Sequence, residues 1–274
     1  MNRIFIFAAI ALLTAPAMAQ TTGLQKTGDA PLEITARDTL EWRRGENLFV
    51  AKGEALAKQG DVSIAAETLT ANYREDANNK MEIRHMTAQG NVTINSRDNS
   101  VYGQQADYDL DKGMAVMTGS NLRAVSPDQV VTARDNFEYW VTDGRLVANG
   151  AAKVVRKSPQ GKTDTLEADK IIAVLKNDAK GQKALNSLEA IGNVVITTAT
   201  ETVTGARGLY RADTNTAEMT GGVTIKRGPN ILEGDKATVD LNTNTSRMYG
   251  SETSGGRVRG VFYPGSEKTP AATP

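Results

Sequence analysis

The sequence predicts an all-β protein, elongated and built from stacked antiparallel hairpins. Three observations lead there. First, a short cassette recurs: a small or apolar residue, any residue, Gly, any residue, then usually a small or β-branched one. Its glycines are Gly53, Gly90, Gly119, Gly150, Gly192, Gly221 and Gly250, in steps of 37, 29, 31, 42, 29 and 29 residues. Steps of that size mark one supersecondary unit stacked on its neighbours. Second, polarity alternates within each copy with the period of a strand. Third, turn-forming triplets close the units: Asp111-Lys112-Gly113, Thr142-Asp143-Gly144, Asp213-Thr214-Asn215 and Asn242-Thr243-Asn244. Asp, Asn and Gly supply the positive φ angles and side-chain bonds that tight turns need.

Taken in order, residues 1–19 read as a secretory signal peptide. Asn2 and Arg3 precede an apolar run from Ile4 to Leu13, and Ala17-Met18-Ala19 is a small-x-small cleavage site. The run is shorter than the roughly 20 residues a membrane span needs. An exported, periplasmic protein is expected. Residues 20–30 read as a flexible lead, 31–264 as the folded body and 265–274 as a disordered tail. The first strand starts in Pro31-Leu32-Glu33-Ile34-Thr35-Ala36.

In the second cassette Met86, Ala88, Gly90, Val92 and Ile94 share one face, taken as inward. Leu188, Ala190, Gly192, Val194 and Ile196 do so in the fifth, and Ala217, Met219, Gly221, Val223 and Ile225 in the sixth. The fourth agrees with Leu146, Ala148, Gly150, Ala152 and Val154. In the third, Met117 and Gly119 share a face but Leu122 does not, which a bulge near Ser120 would repair. A looser strand follows each cassette, as in Gly103-x-x-Ala106-x-Tyr108, Gly205-x-x-Gly208-x-Tyr210 and Gly234-x-x-Ala237-x-Val239. Lys176–Leu185 is the least patterned stretch and reads as an inserted loop or a short helix.

Glycine weakens a strand interior, so a glycine row on the inward face needs a reason. A sharp bend or close approach of two sheets supplies one. A groove left open for a ligand supplies another. Many inward sites are small, and methionines recur at or near them (Met86, Met117, Met219, Met248). Such a face gives either a thin dry core or an underfilled one completed by an apolar ligand, to which methionine adapts. Seven hairpins with one strand per sheet would make a trough on the order of 30 Å long.

Composition excludes much. There is no cysteine, hence no disulfide, thiolate nucleophile or thiolate metal ligand. Removing Arg3 with the signal leaves 31 basic against 32 acidic residues, so bulk charge attracts no nucleic acid. Aromatic residues are 5% of the chain, too few for stacking platforms. His85 is the single histidine. It shares parity with Ile83 and Thr87 and is expected on the outer surface. Asp107, Asp109 and Asp111 could pair as acid and base, but turn chemistry explains them equally. No metal or cofactor site and no enzyme activity is expected.

Several motifs together resemble a known family. Pro31-Leu32-Glu33-Ile34 leads through Leu40-Glu41 to Asn47-x-x-Val50-Ala51-x-Gly53-x-Ala55. Gln59-Gly60-x-x-x-Ile64-x-Ala66-Glu67 comes next. Gly90-Asn91-Val92 recurs as Gly192-Asn193-Val194, and the body ends in Gly256-Arg257-Val258-Arg259-Gly260-Val261-Phe262-Tyr263-Pro264. In this order they resemble the OstA-like periplasmic proteins of lipopolysaccharide transport over about residues 31–264. The chain is longer than familiar members and reads as carrying extra hairpins between about residues 115 and 190.

The resemblance implies an elongated β-jellyroll of V-shaped section that binds lipopolysaccharide, with acyl chains in an apolar groove and sugars and phosphates outside. Groove residues would be the inward row: Met86, Ala88, Val92, Ile94, Met117, Leu146, Ala148, Val154, Leu188, Val194, Ile196, Met219, Val223 and Ile225. It also implies end-to-end bridging, with inner- and outer-membrane components of the transport machinery as partners and head-to-tail self-association. Leu32 and Ile34 at one edge, and Val258, Val261 and Phe262 at the other, would carry that assembly. Two rival readings of the residues remain: a β-repeat scaffold or adhesin with a dry core, and a parallel β-helix acting on polysaccharide.

Overall fold

The computed structural model describes residues 31–75, 81–157, 161–178, 181, 183–243, 245–251 and 256–264. The expected signal peptide, lead and tail lie outside them. Eighteen strands follow one another: β1 (Glu33–Thr35), β2 (Thr39–Arg43), β3 (Leu48–Gln59), β4 (Val62–Glu75), β5 (Met81–Ser96), β6 (Asn99–Asp109), β7 (Met114–Thr118), β8 (Arg123–Val125), β9 (Gln129–Thr132), β10 (Asn136–Trp140), β11 (Arg145–Lys157), β12 (Thr163–Asn177), β13 (Lys183–Thr197), β14 (Thr202–Arg211), β15 (Thr216–Arg227), β16 (Asn230–Asp240), β17 (Thr245–Tyr249) and β18 (Arg259–Val261). A single 3-10 turn, Arg44–Glu46, is the one helical element among the described residues.

The chain is a continuous antiparallel meander. Neighbours along the sequence pair in space from β3 to β6 and from β11 to β16. Four short pairs each act as one interrupted strand: β1 with β2 against β3, β7 with β8 against β6, β9 with β10 against β11, and β17 with β18 against β16. Eighteen strands thus make fourteen passes. Every pairing among the described residues is antiparallel, so the chain is not a parallel β-helix.

The long cassette strands β3, β5, β11, β13 and β15 each carry an irregularity at the cassette glycine, where the chain passes from one wall to the other. In the second copy Gln89 pairs with Gln105, but the next pair is Val92 with Gly103. One residue too many lies on β5, which is a bulge. Gly90 and Asn91 both adopt left-handed conformations there, at φ +81° and +46°. The same device explains the looser strands: the three-residue step Gly103 to Ala106 opposes the four-residue step Ala88 to Val92. The bulge also corrects the glycine's placement. A Cβ on Gly90 would come 2.4 Å from the carboxyl group of exposed Glu67, so the glycine belongs to the outer face of the bend and not to the inward row. Gly192 does the same against Asp169.

Because every pass crosses both walls, each wall is fourteen segments wide and not seven. At the usual strand spacing the trough is on the order of 60 Å long. The architecture is the all-β, V-sectioned, elongated β-jellyroll of stacked hairpins.

Other expectations change for local reasons. The third copy has a break, not a bulge: β7 stops at Thr118 and β8 resumes at Arg123, with Leu122 fully buried between them. Lys176–Leu185 is neither an insertion nor a helix. Lys176 pairs with Ala184 and Leu175 with Leu185, so the long step reflects a longer hairpin, whose residues 179, 180 and 182 are outside those described. A further bulge lets Asn72 pair with His85 but Tyr73 with Ile83. Ile83 therefore packs on the core, while His85 and Thr87 keep a common parity.

The structure also exposes a duplication. Ala36-Arg37-Asp38-Thr39-Leu40-Glu41-Trp42 and Ala133-Arg134-Asp135-Asn136-Phe137-Glu138-Tyr139 play the same part. The Arg37 N–H donates to Gly53 O at 2.7 Å, and the Arg134 N–H to Gly150 O at 2.7 Å. Asp38 lies against Gly53 as Asp135 lies against Gly150. Opposite partners agree too: Thr35 with Leu56 and Thr132 with Lys153, Leu40 with Ala51 and Phe137 with Ala148. The far ends match as well, since Met117 fills the space over Gly103 and Met248 the space over Gly234. The chain is two repeats of one fold, β1–β8 and β9–β18. The second repeat has six long strands, β11–β16, where the first has four. Its extra length is a whole repeat with one added hairpin, not hairpins inserted between residues 115 and 190.

Candidate functional site: an apolar cavity at the seam between the repeats

The two repeats meet where β7 pairs with β10 over five residue pairs and β8 with β9 over three. Two core clusters fill the trough on either side, and Phe137 packs against both. Between them the walls stand apart around an apolar cavity of about 260 Å³. Its lining comes from both repeats. Met86, Ala88 and Ile94 on β5 and Met117 on β7 supply one side. Leu146, Ala148 and Val154 on β11 and Leu188 on β13 supply the other.

Those eight of the inward-row residues surround the cavity. The other six do not. Val92, Val194, Ile196, Met219, Val223 and Ile225 are buried in the packed core, four of them at 1% exposure. The cause is filling. In the second repeat Gly205 leaves room for the Met219 side chain, and Val203, Ala237 and Val239 pack around it; in the first, Val92 shares its cluster with Met117 and Leu122, which fill the space over Gly103. Sequence reasoning missed Phe137, Tyr139, Tyr108 and Ile171, which also line the cavity. Comparing residues 36–42 with 133–139 would have found the first two.

Rings pack the trough away from the cavity. At the first end of the trough Trp42 stacks on Phe49 with 5.5 Å between ring centres, and Phe49 lies against Tyr73 at 5.1 Å. The Trp42 Nε1–H donates to the Tyr73 hydroxyl at 2.8 Å, and the Arg44 guanidinium covers the indole. Inside the cavity, burial pushes the Tyr108 phenol above its ordinary pKa, and neighbouring Tyr139 adds to the effect. The surface lining the cavity is overwhelmingly apolar.

Charged groups lie elsewhere. His85 Nε2 and Asp107 Oδ2 are 2.7 Å apart across two strands. Asp109 accepts the Lys112 backbone N–H at 3.0 Å, and the Lys112 ammonium holds its carboxyl below the usual range. Asp111 is bonded to Arg84. These aspartates are turn and cross-strand partners. Among the described residues there is no cluster of three or more His, Cys, Asp or Glu fit for a metal ion, and no helix long and apolar enough to cross a membrane.

The edge residues fall as follows. Leu32 and Ile34 pack against the first core cluster, beside β3. Val261 ends β18, while Val258 and Phe262 flank it and are exposed. Six of the nine exposed large apolar residues lie on or beside the two outermost passes: Leu40 and Trp42 on β2, Tyr249 on β17, and Val258, Phe262 and Tyr263 about β18.

Comparison with known proteins agrees with the duplication. A family model described as "LptA/(LptD N-terminal domain) LPS transport protein" matches twice, over residues 33–144 and 135–245. No curated protein matches the sequence. Among solved structures, LptH, described as the LptA-homologous periplasmic component of the lipopolysaccharide transport device of Pseudomonas aeruginosa, aligns over 86% of this chain and 96% of its own at 12% identity. Its TM-score is 0.20.

Proposed function

Since the chain belongs to the LptA/LptD N-terminal domain family of lipopolysaccharide transport proteins, a family of transporters and not of enzymes, we propose that it is a periplasmic lipopolysaccharide carrier and bridge of the LptA type. The observation that carries this is the apolar cavity at the seam. Acyl chains lie between the walls there, and sugars and phosphates stay outside. Shielding hydrocarbon from water yields about 0.8 kcal/mol per methylene, so even a short buried length holds the lipid against release. The open cavity also favours a carrier over a dry scaffold or adhesin.

Bridging uses the two outer passes. β1–β2 and β17–β18 each pair on one side only among the described residues, and unpaired strand edges invite strand addition. Copies joined head to tail, or joined to partners of the same fold at the two membranes, form an open rod. Export by the N-terminal signal peptide (1–19), and a single functional body over 31–264 ahead of the tail at 265–274, belong to this proposal.

A photo-crosslinking residue tests the cavity. Placed at Leu146 or Leu188 in cells, it traps lipopolysaccharide. Placed at Asn193 on the outer face, or at Val223 in the packed core, it does not. Equal trapping at all four sites, or adducts with phospholipid alone, would refute the reading.

A further inference from the structure

The chain contains a worked example of its own assembly. At the internal seam the closing pass of the first repeat (β7–β8) pairs with the opening pass of the second (β9–β10). Among the described residues, the outer passes that pair on one side only are the same two in the opposite order. β17–β18 closes the second repeat as β7–β8 closes the first, and β1–β2 opens the first repeat as β9–β10 opens the second. We propose that one copy docks its β17–β18 edge on the β1–β2 edge of another in the register of the internal seam. This rests on the end-to-end reading above and fixes its geometry.

The register follows residue by residue. Met117 faces Phe137 in the seam, and Val116 faces Glu138. Their counterparts place Met248 opposite Leu40, and Arg247 opposite Glu41. On the other wall Ala124 faces Val131, which places Gly260 opposite Ile34. In the seam the Ala133 N–H donates to Leu122 O at the break between the short strands. At the joint the Ala36 N–H would donate to Val258 O.

Three independent features fit this register. Leu122 is 1% exposed in the seam, whereas its counterpart Val258 is 42% exposed at the free end. Phe137 is packed on both cores, whereas its counterpart Leu40 is 55% exposed. Docking covers both. The outer face brings the exposed cation Arg247 across from Glu41, which bonds Arg43 on its own strand. Opposite charges directly across a strand pair are favourable. The N-terminal face of the joint carries the Trp42–Phe49–Tyr73 stack.

Cysteine trapping reads the register, because the chain has no cysteine of its own. Residues directly opposite on paired strands have Cβ atoms about 4.5–5.5 Å apart, and diagonal ones about 7–8 Å. Glu41→Cys and Arg247→Cys both lie on the outer face and leave the cores intact. Mixed under mild oxidation, they form a disulfide-linked heterodimer, at least about tenfold more than Glu41→Cys mixed with Thr245→Cys. Preferential linkage to Thr245→Cys means a shifted register and overturns the proposal while leaving end-to-end docking intact. Linkage of Glu41→Cys to itself means head-to-head docking and also overturns it. Sedimentation of the unmodified chain separates the remaining case: a monomer at every concentration refutes the end-to-end reading itself.

Discussion

Replacing Gly192 with alanine tests the bend on which both walls depend. The backbone there has φ +75°, a left-handed conformation that costs an L-residue about 1–2 kcal/mol. The new Cβ would also lie 2.2 Å from Asp169 Oδ2, so the carboxylate has to swing away. It then loses the bond it accepts from Asn193 Nδ2 at 2.9 Å, worth about 1 kcal/mol at an exposed site. The total is about 2–3 kcal/mol, or a fall in Tm of about 5–10 °C for a chain of this size. Gly222→Ala is the control. Its φ is +66°, but nothing lies within 4 Å of its added carbon, so only the strain of about 1–2 kcal/mol remains. Urea unfolding of both variants gives the comparison. Repeating Gly192→Ala in an Asp169→Ala background isolates the clash, because contacting residues couple in a double-mutant cycle. If the cost of Gly192→Ala is the same with and without Asp169, the crowding argument is wrong. If Gly192→Ala costs nothing, the left-handed bulge is not what bends the strand.

Two further outcomes separate the faces and the titrating groups. Val223→Asp buries a carboxylate without a partner and destabilises by more than about 3 kcal/mol, while Thr224→Lys, opposite Glu233 on the outer face, changes stability by less than about 0.5 kcal/mol; equal Tm shifts would mean the faces are misassigned. Asp164 is buried on the inward side opposite Arg156, and desolvation raises its pKa against the pull of Arg156 and Lys162. An acid with a raised folded pKa is stabilising only while protonated, so its contribution falls as pH rises from the unfolded value through the folded one. Asp164→Asn is therefore more stable than the parent at neutral pH, and the gap in Tm closes on acidification; a gap that widens toward low pH would refute the assignment.

The sequence by itself determined the long cassette strands, their stacking as hairpins and most of the inward row, because side-chain alternation is local and turn-forming triplets close several of the units. It also pointed to a transport family through the order of its motifs. Tertiary structure decided the rest. Gly90 reads as inward on strict alternation, but a bulge depends on the opposing strand, and only pairing Val92 with Gly103 moves the glycine outside. Ile83 changes face for the same reason. Val194 and Met86 look equivalent in the pattern. One is sealed in a packed core and the other borders the cavity at the seam. The duplication was present in residues 36–42 and 133–139, yet its meaning was not. Only the pairing of β7–β8 with β9–β10 shows that the kind of edge left unpaired at the outer passes of the described residues is joined in the middle, and the hollow forms where the two core clusters meet without filling the space between them.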